Sequence, residues 1–394
     1  MRILLISNWF PPVVSGSSFY AQSLAQTLQA RGHRVTGVTL DWGEEYKPAP
    51  DLGFPVHRLS VIRIPKLPIF YNLRLMGFAF TLQNYKRLRL LIRENRPDII
   101  HYVNHIFDTN LLSTWLAKRE GVPIVGSITT PIQHEKAWIQ HLLTWLDRAT
   151  VGWWGVQKWD GIVSLDQQVH DYVGSIYGRK AQARSTVIPF GVRFGSMEHY
   201  ENGAVPKSQR PQILMVGHMH SFRNPVQLIR AMPHVLKEIP NARLVLAGRI
   251  DIQEPLQAAR HLGLTKDQVE FLGATAHDKT LQLMKTSQVF AHWLTGPYLA
   301  LSTVGMEAML CGTPVVTDLR EDLFGKGKLK NGENIILVNS KDPGSIAASL
   351  IRLLKDENLC QRIGAAGRRF VQEHLDWNRI AEQMENFYGQ FLKS

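Results

Sequence analysis

A single acidic side chain, Glu307, stands among small and apolar residues in the stretch YLALSTVGMEAMLCGTPVV. Ser302 or Thr303 can cap a helix that contains it, so backbone N–H groups lie unpaired at the helix start. Those groups and the helix dipole attract phosphate oxygens. A carboxylate one turn into the helix would repel phosphate but accept hydrogen bonds from ribose hydroxyls. The stretch predicts either a nucleotide site, with ribose at Glu307, or merely an acid that favours an early helical turn.

The rest of the sequence restricts the chemistry. It has no Asp-x-Asp motif and no clustered His, Cys and carboxylate ligands, so we expect neither a metal site nor a cofactor. Carboxylates arranged for a double-displacement glycosidase are not identifiable. The formal charge of +12 calls for an anionic partner. Since no nucleic-acid-binding motif is present, phosphate-bearing ligands or an anionic membrane surface are the expected partners.

Two stretches of the chain carry the same α/β pattern. RILLIS (2–7) is a continuous apolar run, typical of a buried parallel strand; a Gly- and Ser-containing loop and a helix from about Phe19 to Arg31 follow. QILMVG (212–217) begins a second such unit, with a helix from Pro225 to about Glu238. At 394 residues the chain is long for one core. We therefore predict two doubly wound α/β domains facing one cleft, with ligands at the carboxyl ends of the strands.

GMEAMLCGTPVVTD resembles the donor motif of the retaining glycosyltransferases of family four, which have the GT-B fold. Further segments occur in the family's order: FPPVVSGSSFYAQSLAQTLQARGHRVTGVT, RPDIIHYVNH, VIPFGV, ILMVGHMHSFRNPVQLIRAM, LVLAGR, VEFLGAT and NGENIILV. The resemblance implies an N-terminal domain over 1–195, a donor domain over 208–374, and terminal helices (375–394) that cross back to the first domain. The polar stretch from Phe194 to Arg210 is the predicted linker.

The resemblance also implies roles for individual residues. Gly16 matches the loop glycine that approaches the donor diphosphate, and Arg223 and His218 match the diphosphate-binding cations of the family, a Lys and an Arg. Glu307 matches the second Glu of the Glu-x7-Glu motif, which holds the ribose. The first Glu, which lies against the transferred sugar, is replaced by Leu299.

Two further sets of candidates follow from the same motifs. Additional donor-binding residues are expected at Ser15, Gly217, Arg249, Gly273, Ser302 and Thr303. Acceptor-side candidates near the expected cleft are Asn104, His105, Thr129 and His134. Many family members carry a His after the strand that matches PIVGSI, where this chain has Thr129-Thr130-Pro131.

The expected activity is metal-independent transfer of a sugar from a nucleotide-diphosphate sugar, UDP- or GDP-linked, to a glycan or lipid-linked acceptor with retention. Two alternatives remain open: a nucleotide- or glycan-binding protein of this fold without transferase activity, and a nucleotide-sugar epimerase. Leu299 is the residue that favours the first alternative. The sequence leaves the base, the sugar, the acceptor, the linkage and the oligomeric state open.

Two segments are candidates for contact with an anionic membrane. Residues 61–93 interleave basic with apolar and aromatic side chains; the basic ones are Arg63, Lys66, Arg74, Lys86, Arg87, Arg89 and Arg93. The second segment, AWIQHLLTWLDRATVGWWGVQKW, holds five tryptophans between Trp138 and Trp159. For both segments the alternative is an ordinary solvated helix. The two cysteines suit a reducing compartment, so we expect a cytoplasmic protein, peripheral at the inner face of the membrane.

Overall fold

The computed structural model describes residues 1–46, 50–65, 75–129, 131–132, 134, 136–192, 206–220, 222–294 and 300–392. It divides into two compact units. Unit 1 comprises Met1–Gly191 and Trp377–Ser394, and unit 2 comprises Val192–Asp376. The domain limits drawn from the sequence stay a prediction, and the predicted linker and Leu299 fall mainly or wholly outside the described residues.

Unit 1 is built on a parallel sheet of seven strands in the order β3-β2-β1-β6-β7-β8-β9. Its strands are β1 Arg2–Ser7, β2 Arg34–Asp41, β3 Val56–Ser60, β6 Ile99–Val103, β7 Ile124–Ile128, β8 Gly161–Ser164 and β9 Ser185–Val187. A separate antiparallel pair is formed by β4 Ile62–Ile64 and β5 Met76–Phe78. The helices are α1 Gly16–Ala30, α2 Leu82–Asn95, α3 Thr109–Glu120, α4 Ala137–Asp147, α5 Gln167–Tyr177 and α6 Arg179–Gln182, with a π-helical turn at Arg148–Gly152.

Unit 2 repeats the arrangement with six parallel strands in the order β12-β11-β10-β13-β14-β15. They are β10 Gln212–Val216, β11 Arg243–Ala247, β12 Val269–Gly273, β13 Val289–Ala291, β14 Val315–Thr317 and β15 Ile336–Leu337. The helices are α7 Val226–Glu238, α8 Glu254–His261, α9 His277–Thr286, α10 Thr303–Leu310, α11 Pro343–Lys355 and α12 Glu357–His374. Both units are thus Rossmann-like, as the apolar strand runs predict.

The last helix, α13 Trp377–Gly389, returns to unit 1, as the family resemblance implies. Trp377, Ile380, Met384 and Phe387 join the apolar core under α1 and the central strands. The hydroxyl of Tyr388 hydrogen-bonds to Nδ1 of His101 on β6, at 2.5 Å. This helix is therefore part of the core of unit 1.

The start of α1 corrects the sequence-based limit of about Phe19. The helix begins at Gly16, because the Ser15 hydroxyl accepts a hydrogen bond from the Ser18 N–H at 3.0 Å and so caps it. The apolar periodicity that indicated the helix starts only after this polar first turn. The glycine and two serines of the loop are consequently helical residues.

Candidate active site

In unit 2, the first two central strands end in glycines that bring their backbones into contact. Gly217 and Gly248 both have a φ of 142°, and a Cβ on Gly248 would lie 2.0 Å from the Gly217 carbonyl oxygen. The Gly217 N–H donates to the Ala247 carbonyl at 2.8 Å. Only glycine fits this close approach, so the backbone lies open at the carboxyl edge of the sheet.

Arg223 lies across Gly217. Its Cδ and Nη1 atoms would be 3.2 and 3.4 Å from a Cβ at that glycine. The side chain is half-buried, and burial lowers the pKa of its guanidinium. No carboxylate pairs with it among the residues that the structure describes, and its buried Nε has no hydrogen-bond partner. A partly desolvated cation without a counter-charge favours the approach of an anion.

The other predicted cation of this edge, Arg249, is already paired. Its Nε and Nη2 atoms lie 2.6 and 3.1 Å from the carboxylate oxygens of Asp251. Its backbone N–H donates to Nδ1 of His218 at 3.2 Å, which leaves the other ring nitrogen of that histidine for further contacts. The Gly273 carbonyl accepts from the Gly248 N–H at 2.7 Å. The predicted residues Arg249, His218 and Gly273 therefore lie at the same edge as Arg223, but their hydrogen bonds hold the loops in place.

The start of α10 faces a buried histidine. Ser302 caps the helix, its hydroxyl accepting from the Gly305 N–H at 3.2 Å, and Thr303 is exposed in the first position. Nδ1 of His292, directly after β13, lies 3.2 Å from the same hydroxyl oxygen. Burial, with the charge of Arg223 adding to it, lowers the pKa of His292 to about 3. His292 is thus a neutral group held against the helix start, and its buried Nε2 has no hydrogen-bond partner in the structure.

Glu307 follows in the second turn of α10. It is half-buried, and desolvation raises the pKa of its carboxyl group, which His277 partly offsets. The carboxylate takes part in no hydrogen bond or ion pair with the described part of the chain. Unit 2 therefore brings together a cation, a neutral imidazole, a capped helix start and a carboxylate, which can all contact a phosphate or a ribose.

In unit 1, three polar side chains meet at the carboxyl ends of β6 and β7. The hydroxyl of Ser17 lies 3.1 Å from that of Thr129 and accepts from Nδ2 of Asn104 at 3.2 Å. Asn104 has a φ of 69°, and its N–H donates to the Ser127 carbonyl at 3.0 Å. Its Oδ1 atom is buried without a hydrogen-bond partner. We call Ser17, Asn104 and Thr129 the neutral cluster, since all three are uncharged hydrogen-bonding groups.

Gly16 and Ser15 begin α1 beside this cluster. A Cβ on Gly16 would meet no atom within 4 Å, so the packing of the chain itself does not require glycine there. The predicted role of Gly16 is to let a ligand come close to the backbone, and that role would account for a glycine at this position.

The two acceptor-side histidines do not join the neutral cluster. His105 is fully buried against Tyr172 and Tyr177, and its Nε2 lies 3.6 Å from a carboxylate oxygen of Asp147. It is therefore a core residue in the structure, and burial lowers its pKa. Nδ1 of His134 accepts from the N–H of Lys136 at 3.0 Å in a local turn.

Sequence reasoning missed Ser17 and His292. The sequence did hold a signal for each, because Ser17 follows the loop glycine and His292 directly follows a buried strand at the carboxyl edge. No triad of His, Cys, Asp or Glu side chains that could hold a metal ion occurs in the described ranges. Nor does any helix among them have the length and apolar character needed to cross a bilayer.

Both halves of the chain match known protein families. Residues 14–194 match the family described as Glycosyltransferase Family 4, and residues 197–370 match Glycosyl transferases group 1. The chain belongs to the family 4 glycosyltransferases. Its fold is GT-B, and this confirms the identification made from the motifs.

Relatives of this glycosyltransferase span nearly its whole length. A glycogen synthase of Mycobacterium tuberculosis is 25% identical over 98% of this chain and 94% of its own length. A phosphatidyl-myo-inositol mannosyltransferase of Mycobacterium leprae is 25% identical over 98% and 96%.

Solved structures agree on the fold. Sucrose-phosphate synthase from Thermosynechococcus elongatus has a TM-score of 0.70 at 21% identity, covering 99% of this chain and 98% of that one. HepE of Anabaena, solved in complex with UDP and glucose, has a TM-score of 0.70 at 17% identity, covering 99% and 100%. At 17–21% identity, this similarity shows a shared fold and nothing further.

Proposed function

We propose that this glycosyltransferase moves a hexosyl group from a nucleotide-diphosphate sugar, UDP- or GDP-linked, to a glycan or lipid-linked acceptor. The observation that carries the proposal is the half-buried guanidinium of Arg223, which lies across Gly217 with no carboxylate partner among the described residues. A diphosphate supplies the missing negative charge. The binding of UDP by the structurally similar HepE supports the same class of donor.

In this proposal Arg223 and the start of α10 hold the diphosphate, and Glu307 accepts hydrogen bonds from the ribose. Negative charge on the leaving phosphate grows as the glycosidic bond breaks, so a fixed cation stabilises the transition state more than the bound donor. His292 acts as a neutral hydrogen-bond donor. When the Ser302 hydroxyl donates to Nδ1, the proton of the imidazole is on Nε2. That N–H is then available to a phosphate or sugar oxygen.

On the acceptor side, the neutral cluster is the proposed hydrogen-bonding surface for the attacking hydroxyl or its neighbours. No ionisable group of the cluster can take the acceptor's proton. We therefore assign that proton to the leaving phosphate, on the same face of the sugar, which agrees with retention. Charge compensation by Arg223 and the helix start also supports transfer that needs no metal ion.

The experiment combines the purified chain with UDP- and GDP-sugars and an acceptor extract, with and without EDTA. We expect transfer from one nucleotide class, an unchanged anomeric configuration in the product by NMR, and the same rate in EDTA. An inverted product would refute retention. Loss of activity in EDTA with rescue by magnesium or manganese would refute metal independence.

One observation favours a second candidate, a nucleotide- or glycan-binding protein without turnover. Leu299 stands where the family has the Glu that contacts the transferred sugar. Tight binding of a nucleotide sugar with no transfer and no hydrolysis would support this alternative. Turnover of any donor would exclude it.

We also infer an anionic membrane surface as a partner of a cytoplasmic enzyme. The formal charge of +12 supports this, and so does the lipid named for the mannosyltransferase relative. Cosedimentation with anionic and neutral liposomes tests it, since binding should favour the anionic lipid and weaken with salt.

A further inference from the structure

Helix α4 of unit 1 exposes a row of large apolar side chains. Trp138 and Trp145 are 66% and 64% exposed, and Leu142 and Leu146 lie on the same helical face by their spacing. Trp153 and Trp154, just beyond the π-helical turn, are 54% and 64% exposed. We call these residues the tryptophan face; they are Trp138, Leu142, Trp145, Leu146, Trp153 and Trp154. Contiguous exposed apolar surface of this kind marks an interaction site.

The opposite side of α4 is firmly packed. Ile139 and Leu143 are buried in unit 1, and so is Asp147 at the end of the helix. The carboxylate of Asp147 accepts hydrogen bonds from the hydroxyls of Tyr172 and Tyr177 on α5, at 3.1 and 2.5 Å. The tryptophans therefore point outward from a helix whose orientation is fixed by apolar contacts and a buried carboxylate.

Basic residues accompany the tryptophan face. Lys136, Arg148 and Lys158 are exposed. The described stretch 136–159 has one acidic residue, Asp147, and it is buried. The exposed charge of this segment is thus entirely positive. Indole rings favour the headgroup region of a bilayer, and basic side chains favour anionic lipid.

In the other segment named from the sequence, residues 61–93, part of the positive charge is neutralised by acidic residues. Arg89 and Arg93 on α2 both bind the carboxylate of Glu120, at 2.7 and 2.9 Å, and Arg63 binds Glu45 at 2.9 Å. Lys66 and Arg74 lie outside the described residues. Since three of its arginines are engaged with acids of the same unit, this segment offers lipid less net positive charge than its composition indicates.

We propose that the tryptophan face docks the chain on an anionic lipid bilayer. The proposal deepens the proposed function, because it assigns the membrane partner to one surface. The same helix is tied to the acceptor side of unit 1: Asp147 lies 3.6 Å from His105, the neighbour in sequence of Asn104 in the neutral cluster. Docking through α4 would therefore hold that edge of the sheet at a fixed distance from the lipid.

The test compares full-length variants by cosedimentation with vesicles of phosphatidylcholine alone or mixed with phosphatidylglycerol. W138S/W145S removes two exposed indoles from the face. W115S removes an indole of similar exposure, 49%, that stacks on Tyr85 of α2 and so belongs to the competing surface. Circular dichroism and nucleotide binding are the controls for folding.

We expect the wild type to bind the anionic vesicles, and W138S/W145S to lower the partition coefficient by about tenfold or more, because apolar burial in the interface is lost. W115S should bind like the wild type. A second variant, K136Q/R148Q, should lower binding to anionic vesicles and weaken its dependence on salt.

Equal binding by W138S/W145S and the wild type would overturn the assignment, as would a loss confined to W115S. A wild-type dimer that W138S/W145S converts to a monomer without loss of vesicle binding would identify the face as a contact between copies. Donor turnover with a water-soluble acceptor is measured separately. Its absence counts against the proposed function, whereas the vesicle result decides the docking surface.

Discussion

The two parallel sheets carry groups of side chains of different chemical character at their carboxyl ends. In unit 2, Arg223, His292 and Glu307 give the edge a positive charge, a neutral imidazole and a carboxylate. In unit 1, the neutral cluster has only hydroxyl and amide groups. The same fold thus carries a charged group of residues suited to a nucleotide diphosphate in one unit and a neutral cluster suited to sugar hydroxyls in the other. The difference shows that strand order fixes where a ligand binds, while the loop residues decide its chemistry.

The charged edge is tested most severely at Arg223. Because the cation acts on charge that develops during bond breaking, R223A should lower single-turnover transfer at saturating donor by about 100-fold or more. R223K should recover part of the rate, because a point charge is kept. R230A, which removes an exposed arginine of neighbouring α7, is the control and should have little effect. If R223A keeps more than half of the wild-type rate, Arg223 does not hold the diphosphate.

Glu307 should matter for binding more than for chemistry. E307A should weaken nucleotide binding by roughly 1.5–3 kcal/mol, the range for a charge-assisted hydrogen bond. Because burial raises the pKa of this carboxyl group above 4.5, its protonation begins at a higher pH than usual. The wild-type affinity should therefore fall as the pH is lowered towards that raised pKa, and the affinity of E307Q should not. Calorimetric titration of the nucleotide at several pH values measures both affinities. If the affinities of the wild type and E307Q change with pH in the same way, the ribose assignment is contradicted.

His292 sharpens the comparison, because it is a neutral group within the charged edge. H292F should lower turnover by about tenfold, the effect of losing one hydrogen bond to a charged oxygen. Since its pKa is lowered to about 3, its removal should leave the shape of the pH–rate profile unchanged between about pH 5 and 8. A wild-type inflection in that range that disappears in H292F would show that the imidazole titrates during catalysis.

The neutral cluster should give the smallest effects. T129V is isosteric and removes one hydroxyl, so it should raise the KM for acceptor by about threefold to tenfold, as expected for one neutral hydrogen bond. T129S keeps the hydroxyl and should behave like the wild type. Donor affinity should not change in either variant. A matching change in donor affinity would mean that the neutral cluster does not belong to the acceptor side.

Much of the architecture was predictable, because buried parallel strands such as RILLIS and QILMVG appear as continuous apolar runs. Glu307 was a candidate because a short motif places it near a helix start, and Arg223 was a candidate because the family resemblance places a cation there. The burial of His105 between Tyr172 and Tyr177 was not predictable, since these residues are far apart in sequence and meet only in the folded unit.

Pairing over long sequence distances also explains the overestimated charge of α2. Nothing in the local pattern indicates that Arg89 and Arg93 share Glu120, which lies on the next helix. His292 is the opposite case, because its position after a strand was visible in the sequence. Its importance depends on Ser302, which is ten residues further on and comes within 3.2 Å only once α10 is in place.

The return of α13 to unit 1 has a consequence for synthesis on the ribosome. Met1–Gly191 emerges before Val192–Asp376, but its core lacks Trp377, Met384 and Tyr388 until α13 has been synthesised. Val192–Asp376, in contrast, is one continuous segment that can complete its own core as soon as it has left the exit tunnel. The later part of the chain can thus reach its native state before the earlier part. During that interval the nascent protein presents the apolar groove for α13 to the chaperones of the cell.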